Sequence, residues 1–223
     1  MGAGLLLRRA MSPHVFITSN TRLLAVPLVP ELRLHLAEES VPIWQKTEEE
    51  LGEMNVPPPY WAFAWAGGQA LSRFLLDNAA LVAGRRVLDI GAGSGLGAIA
   101  AKRAGARSVL AADIDPYAVA AIGLNARANG VEVEATAEDL LSAELPACDV
   151  LLVGDLFYER PLAARVLACI DAAREAGSDV LVGDPRRSYF PSERFVEVAH
   201  YEVPVTRELE DAEIKRSAVW RLR

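Results

Sequence analysis

Short apolar runs alternate with amphipathic stretches through the middle of the chain. The runs predict strands near residues 86–91, 108–113, 131–136, 148–154 and 179–183. The stretches between them predict helices near residues 95–104, 116–129 and 161–176. Strands that alternate with helices pair in parallel and carry helices on both faces of the sheet. The pattern therefore predicts an α/β fold with a doubly wound, mostly parallel sheet.

The two ends of the chain depart from this alternation. The segment from Pro27 to Leu36 predicts a strand, and the pattern from Pro42 to Met54 is helical. From Tyr60 to Asp77 an aromatic-rich stretch leads into a further helix. The strand-like segments from Phe195 to Val203 and from Ser217 to Arg223 have no helix between them, so we expect a C-terminal antiparallel hairpin.

The run Pro57-Pro58-Pro59 divides the chain into two unequal parts. We expect residues 1–56 to be an N-terminal extension that serves as a substrate-side or lid segment. We expect residues 57–223 to form one compact domain, because 52% apolar residues in a chain of 223 can fill a substantial core.

A glycine-rich turn follows the first strand of the alternating region. The apolar run from Val87 to Ile90 stops at Gly91, Gly93 and Gly95, and Asp89 lies two residues before the first glycine. Glycines are needed where the backbone approaches a ligand closely or adopts a positive φ. The turn therefore predicts a loop that binds a nucleotide-like cofactor.

Two acids help to decide which cofactor the loop receives. The segment from Gly93 to Ala98 fits the dinucleotide pattern, yet Asp89 adds a negative charge that suits an ammonium or sulfonium better than a pyrophosphate. Asp113 ends the next apolar run, at the spacing of a carboxylate that accepts from both ribose hydroxyls. Asp115 precedes Pro116, which indicates a helix cap and leaves a ligand role as the alternative.

The substrate should lie beyond the carboxyl ends of the later strands. The fourth strand ends at Gly154 and is followed by Asp155, Phe157 and Tyr158. An acid and two aromatic residues at this edge indicate a binding site. The alternative is a strand-to-helix junction in which Asp155 caps the helix and Phe157 lies in the core.

A second loop with basic and aromatic residues follows the fifth strand. It runs from Asp184 to Phe190 and contains Arg186, Arg187 and Tyr189. These side chains could meet acidic groups around a target. A solvated loop whose aromatic residues cover the sheet edge is the alternative.

Composition and charge narrow the range of functions. A formal net charge of −7 argues against a broad grip on nucleic acid. Cys148 and Cys169 lie in apolar stretches with no His or Cys at metal spacing, so we expect buried thiols and no metal. No apolar run approaches the ~18 residues of a membrane span. We therefore expect a soluble monomer without a membrane partner.

The N-terminal segment bears on the compartment. The first thirty residues contain Arg8, Arg9 and Arg22 but no acid, a composition typical of a mitochondrial transit peptide. A loose extension of a bacterial protein before Met11 is the alternative that we favour. We therefore expect the bacterial cytoplasm, or the mitochondrial matrix if the chain is eukaryotic.

These motifs together resemble the class I S-adenosylmethionine-dependent methyltransferases. The resemblance rests on the acid and glycines from Asp89 to Gly95, Asp113-x-x-Pro116, Asn125-Ala126-x-x-Asn129-Gly130 and Glu138-Asp139. It implies a Rossmann-like, seven-stranded sheet in which one C-terminal strand is antiparallel. It also implies that the glycine loop receives the methionine moiety of S-adenosylmethionine. Asp113 and Ile114 would then face the ribose, and Glu138 or Asp139 the adenine.

Two further segments narrow the resemblance. Asp155-x-x-Tyr158 and the stretch from Pro57 to Leu71, which contains Trp65, are similar to the lysine-specific seven-β-strand methyltransferases. The most similar group is the electron transfer flavoprotein β-subunit lysine methyltransferases. The resemblance implies that Asp155 lies at the lysine channel, that Trp65 lies beside the cofactor, and that the flavoprotein β subunit is the partner. A small amine or a ribosomal protein remains the alternative substrate.

Methyl transfer to lysine makes particular demands on the substrate site. Lysine, with a reference pKa of ~10.4, must lose a proton before its nitrogen can act as a nucleophile. We expect Asp155 and Tyr158 to act in catalysis, Asp155 by orienting the amine rather than as a strong base. We expect Phe157, Arg186 and Tyr189 to contact the substrate.

Overall fold

The computed structural model describes residues 12–38, 59–205 and 213–223. The first of these ranges forms helix α1 (Pro13–Asn20) and an antiparallel hairpin of β1 (Arg22–Val26) and β2 (Val29–Leu36). The strand expected from Pro27 to Leu36 is β2, which begins two residues later than expected, and β1 was not predicted. Pro27 lies in the turn between β1 and β2, where its lack of an amide hydrogen costs no ladder hydrogen bond. The helix expected from Pro42 to Met54 lies outside the described residues.

Seven further strands form one sheet. They are β3 (Arg86–Ile90), β4 (Ser108–Ala112), β5 (Glu134–Thr136), β6 (Val150–Gly154), β7 (Asp179–Asp184), β8 (Phe195–Pro204) and β9 (Ile214–Leu222). Their order is β5-β4-β3-β6-β7-β9-β8, with β3 to β7 parallel and β9 antiparallel between β7 and β8. The predicted doubly wound sheet with a C-terminal antiparallel hairpin is confirmed.

Some strand ends differ from the prediction. β5 begins at Glu134 instead of near residue 131 and pairs with β4 alone over three residues. β9 begins at Ile214, before the expected Ser217, because the hairpin register extends to the pair of Pro204 and Ile214. Pairing with a neighbouring strand, which hydropathy alone does not reveal, sets these ends.

Four helices connect or flank these strands: α2 (Ala66–Asp77), α3 (Leu96–Arg103), α4 (Pro116–Ala128) and α5 (Arg160–Glu175). Alternation along β3 assigns its side chains to the two faces of the sheet. Val87 packs in a cluster with residues of α2, α3 and α4, whereas Leu88 and Ile90 pack with residues of α5. Helices therefore cover both faces.

The N-terminal hairpin packs against α3 and α4. Leu32 and Leu34 are buried with Ile99 and Ala126. Asn125 joins this hairpin to the glycine loop, because its side chain accepts from the His35 amide at 2.7 Å and donates to the Ser94 carbonyl at 2.8 Å.

The domain boundary expected between residues 56 and 57 remains a prediction. No helix within the three described ranges is long and apolar enough to cross a membrane.

Candidate active site

A cavity of about 390 Å³ lies at the carboxyl ends of β3, β4 and β6. Parallel strands place their carboxyl ends at one edge, where open α/β sheets bind ligands. The predicted site residues that line it are Trp65, Gly91, Gly93, Asp113, Ile114, Glu138, Asp139, Asp155 and Tyr158. Its lining contains five carboxyl side chains and two arginines, Arg165 and Arg187, so the cavity favours a ligand with positive charge.

The glycine loop forms one wall. Gly91, Gly93 and Gly95 have φ angles of 62°, 51° and 80°, a left-handed conformation that glycine adopts without strain. The Gly93 amide donates to Asp113 Oδ2 at 2.9 Å. Gly95 lies behind the wall, where an added Cβ would come within 3.1 Å of Ile122. The loop thus exposes Gly91 and Gly93 to the cavity and uses Gly95 for packing.

Asp113 organises the next part of the wall. Its Oδ1 accepts from the Asp115 amide at 3.0 Å, while its Oδ2 accepts from Gly93. Burial raises the pKa of Asp113. Asp115 in turn accepts from the Tyr117 amide at 2.8 Å and caps α4, which confirms the cap interpretation. Burial and the charge of Asp113 raise the pKa of Asp115 to about 6.

Asp89 lies behind the loop and is not among the residues that line the cavity. It shares the face of β3 that carries Val87, and its Oδ2 accepts from the Ala98 amide of α3 at 2.8 Å. Burial raises the pKa of Asp89 to about 7. In this structure Asp89 joins the strand to the first turn of α3 and does not contact the cavity.

Glu138 and Asp139 follow β5 and also line the cavity. Glu138 is exposed, whereas the carboxylate of Asp139 pairs with Arg165 of α5 at 2.5 Å. Burial alone would raise the pKa of Asp139, but the hydrogen bond from Arg165 lowers it below its usual range. Arg165 therefore keeps Asp139 ionised beside the cavity.

Asp155 lines the cavity at the carboxyl end of β6. It follows β6 with a φ of 59°, in the left-handed region that is uncommon outside glycine. Its Oδ2 accepts from the Gly68 amide at 2.7 Å. Its Oδ1 accepts from Arg187 Nε at 2.9 Å and Nη2 at 2.6 Å. The carboxylate is only 9% exposed, so its charge is compensated inside the protein rather than by water.

Aromatic rings form the rim around Asp155. The ring centroids of Tyr60 and Tyr158 lie 5.8 Å apart, and those of Tyr60 and Trp65 lie 6.1 Å apart. The Arg187 guanidinium lies 5.5 Å from the centre of the Trp65 ring. Burial raises the pKa of Tyr158 to about 12, so its hydroxyl stays protonated at neutral pH and acts as a hydrogen-bond donor rather than a base.

Comparison with known proteins shows the family to which the chain belongs. The sequence model of the ribosomal protein L11 methyltransferase family (PrmA) matches residues 69–154. The electron transfer flavoprotein β-subunit lysine methyltransferase of Xenopus laevis is 39% identical over 219 residues, which cover 95% of this chain and 87% of that protein. The human protein of the same name is 35% identical over 92% of this chain and 80% of its own length. The chain belongs to this lysine methyltransferase family.

A solved structure supports the fold of this family member. The magnesium protoporphyrin IX methyltransferase of Synechocystis PCC 6803, solved with bound S-adenosylmethionine, superimposes with a TM-score of 0.54. It covers 84% of this chain and 87% of the other, at 17% sequence identity. This likeness concerns the architecture of the sheet and helices alone.

Three predicted substrate residues of this methyltransferase lie away from the cavity. Phe157 is fully buried and packs edge-on against Phe190 and Phe195, which corrects its expected contact with substrate and agrees with the core alternative. The Tyr189 side chain is 39% exposed, but its ring lies against the Arg160 guanidinium and does not line the cavity.

Arg186 is the third residue that lies elsewhere. Its guanidinium lies 5.1 Å from the centre of the Trp220 ring and 3.8 Å from Glu197. Arg186 has a φ of 65°, and its neighbour Arg187 is the arginine that lines the cavity. Arg186 therefore does not line the cavity as its expected contact with substrate would require.

Residues that the sequence did not single out complete the site. Tyr60 lies on the rim, Arg165 pairs with Asp139, and Asp184 supports the loop of Arg187 by accepting from its amide at 2.7 Å. No spacing signal separates Arg187 from Arg186, or Tyr60 from the aromatic residues beside it. Within the described ranges, no group of three or more His, Cys, Asp or Glu side chains is arranged to hold a metal ion.

Proposed function

We propose that this protein is an S-adenosylmethionine-dependent lysine N-methyltransferase that acts on the electron transfer flavoprotein β subunit. The observation that carries the proposal is the match to the flavoprotein methyltransferases along nearly the whole chain. This match includes both the cofactor wall and the substrate side around Asp155.

The cavity suits S-adenosylmethionine in size and charge. A volume of about 390 Å³ lies within the range of small-molecule sites. In our proposal the methionine moiety lies along Gly91 and Gly93, and Asp113 accepts from the ribose hydroxyls. The adenine then faces Glu138 and Asp139. The acidic lining favours the positive sulfonium over an anionic dinucleotide.

The target lysine would enter between the aromatic rings of the rim. S-adenosylmethionine supplies an electrophilic methyl group, which the lysine nitrogen takes up as the carbon–sulfur bond breaks and its electron pair stays on sulfur. Asp155 orients the amine, and the faces of Tyr158 and Trp65 attract a partly methylated amine by ~0.5–2 kcal/mol each. Most of the acceleration comes from positioning, to which effective molarities assign ~7–11 kcal/mol.

The rim favours a protein substrate. Tyr60, Ile114 and Tyr158 line the cavity and are 41%, 67% and 38% exposed. Exposed apolar side chains at a cavity mouth suit contact with a protein surface. An enclosed small amine would not need them.

A ribosomal protein is the second candidate substrate. The match to the ribosomal protein L11 methyltransferase family supports it, but this match ends at Gly154. Asp155 and Tyr158, the residues expected at the lysine channel, follow that point. The match therefore supports the cofactor-binding half of the domain more strongly than it supports a ribosomal protein as the substrate.

Methyl transfer from labelled S-adenosylmethionine to recombinant electron transfer flavoprotein tests the proposal. We expect label on lysines of the β subunit, located by mass spectrometry, with unmodified ribosomal protein L11 as the parallel substrate. Label on L11 or on small amines, with none on the flavoprotein, would contradict the proposed substrate and leave the methyltransferase fold unaffected.

A further inference from the structure

The charge of Asp155 is cancelled before any substrate arrives. Arg187 binds one carboxylate oxygen through two nitrogens, at 2.9 and 2.6 Å. The two side chains are 17% and 9% exposed, so water and salt screen the pair weakly. The site thus presents a nearly neutral ion pair to the incoming amine.

The surrounding backbone holds this pair in place. The Gly68 amide binds the other oxygen of Asp155, and Asp184 accepts from the Arg187 amide at 2.7 Å. Within the described ranges, the non-glycine residues with a positive φ are Asp155 and Arg186, one in each of the two segments that the pair joins. Such strained conformations persist where the surrounding structure enforces them. Arg187 is therefore a fixed part of the site.

An uncompensated carboxylate would hinder the reaction that we propose. An opposite charge within ~4–6 Å stabilises the charged form of a group and moves its pKa by ~1–3 units. Asp155 alone would hold the target lysine as ammonium, which has no lone pair for methyl transfer. We propose that Arg187 is a positioning residue that acts through Asp155 and sets the site to bind the target lysine as the neutral amine. This inference rests on the proposed lysine methyltransferase function.

Other ionisable groups near the pair must be distinguished from it. The charged or titratable neighbours of the pair come from the ends of β7 and β4, from the loop after β6 and from the rim. They are Asp184, Asp113, Glu159, Tyr60 and Tyr158. Burial raises the pKa of both tyrosines above 10, so they stay neutral in the range to be measured. Burial and the charge of Asp155 raise the pKa of Asp184 to about 7, so Asp184 needs its own variant.

The pH dependence of kcat in the variant Arg187→Met tests the inference. We would measure kcat and KM for the flavoprotein from pH 6 to 9.5 at saturating S-adenosylmethionine. Because the uncovered carboxylate stabilises the ammonium, we expect the pH of half-maximal kcat to rise by about 1–3 units, with recovery of kcat at high pH. KM at pH 7 should stay the same or fall, and Arg187→Lys should restore much of the profile.

Two matched variants serve as controls. Arg186→Met removes the neighbouring arginine, which lies over Trp220 outside the cavity, and should not move the pH profile. Asp184→Asn removes the nearby titration near neutral pH and should not reproduce the shift.

Three results would decide against the inference. A loss of kcat by the same factor at every pH would indicate a structural role for Arg187. A higher KM with an unmoved pH profile would indicate that Arg187 contacts an acidic group of the substrate. If the enzyme without substitutions methylated no lysine of the flavoprotein, the proposed function would be wrong, and the inference that rests on it would be wrong as well.

Discussion

In the function that we propose, Asp113 marks the cofactor side of the cavity and Asp155 the substrate side, and the two sides are built in different ways. On the cofactor side, Asp113 binds the amides of Gly93 and Asp115, and all three residues belong to the unit formed by β3, α3 and β4 with the loops that follow its strands. On the substrate side, Asp155 binds Gly68 and Arg187, which come from distant segments. The first wall is held by backbone amides within one strand–helix–strand unit, whereas the second is an ion pair between side chains of different units.

This difference predicts different consequences of substitution. A wall of backbone amides held by one carboxylate acts mainly on the affinity for the cofactor. An ion pair assembled from three segments acts mainly on the position and protonation of the substrate, and therefore on the rate. Variants on the two sides should accordingly separate cofactor affinity from kcat.

The largest effect is expected from Asp155→Asn. Asparagine tolerates the positive φ at this position better than alanine, so the backbone is preserved. Loss of the carboxylate misplaces the amine and should lower kcat by roughly 10²-fold or more. Affinity for S-adenosylhomocysteine, measured by calorimetry, should stay within a few-fold. A comparable loss of cofactor affinity would assign Asp155 to the cofactor side and remove the contrast.

The converse is expected for Asp113→Asn. The new amide group would place a donor against one of two backbone donors, Gly93 or Asp115. Hydrogen bonds to charged groups contribute about 1.5–3 kcal/mol, so S-adenosylhomocysteine should bind about 10–100-fold more weakly. At saturating cofactor, kcat should change little.

Asp115→Asn provides the comparison for this variant. Asparagine caps helices as well as aspartate does, so binding should weaken less than in Asp113→Asn. Equal losses in the two variants would mean that the acidic charge of this wall, and not the hydrogen bonds of Asp113, governs affinity.

The third prediction concerns the close contact between α2 and β7, which lies next to Asp155. An alanine Cβ at position 67 would lie 2.2 Å from the Gly183 carbonyl oxygen, which itself accepts from the Asp155 amide. Gly67→Ala should therefore destabilise the protein by about 1–3 kcal/mol in urea unfolding.

The adjacent glycine is a matched control for Gly67→Ala. At Gly68 the nearest atom to an added Cβ is Asp155 Oδ2 at 3.9 Å, an ordinary contact. Gly68→Ala should be neutral or stabilising by up to about 1 kcal/mol, since alanine favours helices over glycine. Equal stability of the two variants would show that α2 can shift away from β7 without cost.

The same difference explains how far the sequence alone could lead. The glycine turn, Asp113 and the cap at Asp115 could be predicted, because all of them lie at the ends of consecutive strands of one strand–helix–strand unit, where their spacing in the sequence indicates their place. The alternation of apolar runs likewise predicted the parallel strands and the C-terminal hairpin. The turn at Pro27 was missed because the apolar pattern continues across it.

The substrate side could be predicted only in part. Asp155, Tyr158 and Trp65 line the cavity as expected, but Phe157 and Arg186 do not. A loop has no fixed side-chain period, so the sequence could not tell which of two adjacent residues faces the cavity. The positive φ of Arg186 and the bond from Asp184 to Arg187 decide it, and both depend on the tertiary structure.

The smallest predicted effect concerns the buried carboxyl of Asp89 on the cofactor side. Burial raises its pKa from 3.8 to about 7, so between these values the folded state binds a proton that the unfolded state releases. Stability from this group is complete below pH 4 and is lost as pH rises towards 7. Asp115 and Asp184 act in the same direction, so a slope should remain when Asp89 is replaced.

Urea unfolding of the cofactor-free protein at pH 6 and pH 7 measures this contribution. The loss of unfolding free energy between these pH values should be smaller in Asp89→Asn by about 1 kcal/mol. Asparagine keeps an oxygen for the Ala98 amide but does not titrate. An unchanged pH dependence would mean that Asp89 stays ionised under the glycine loop. The cofactor side would then also contain a buried negative charge, but one without an arginine partner like that of Asp155.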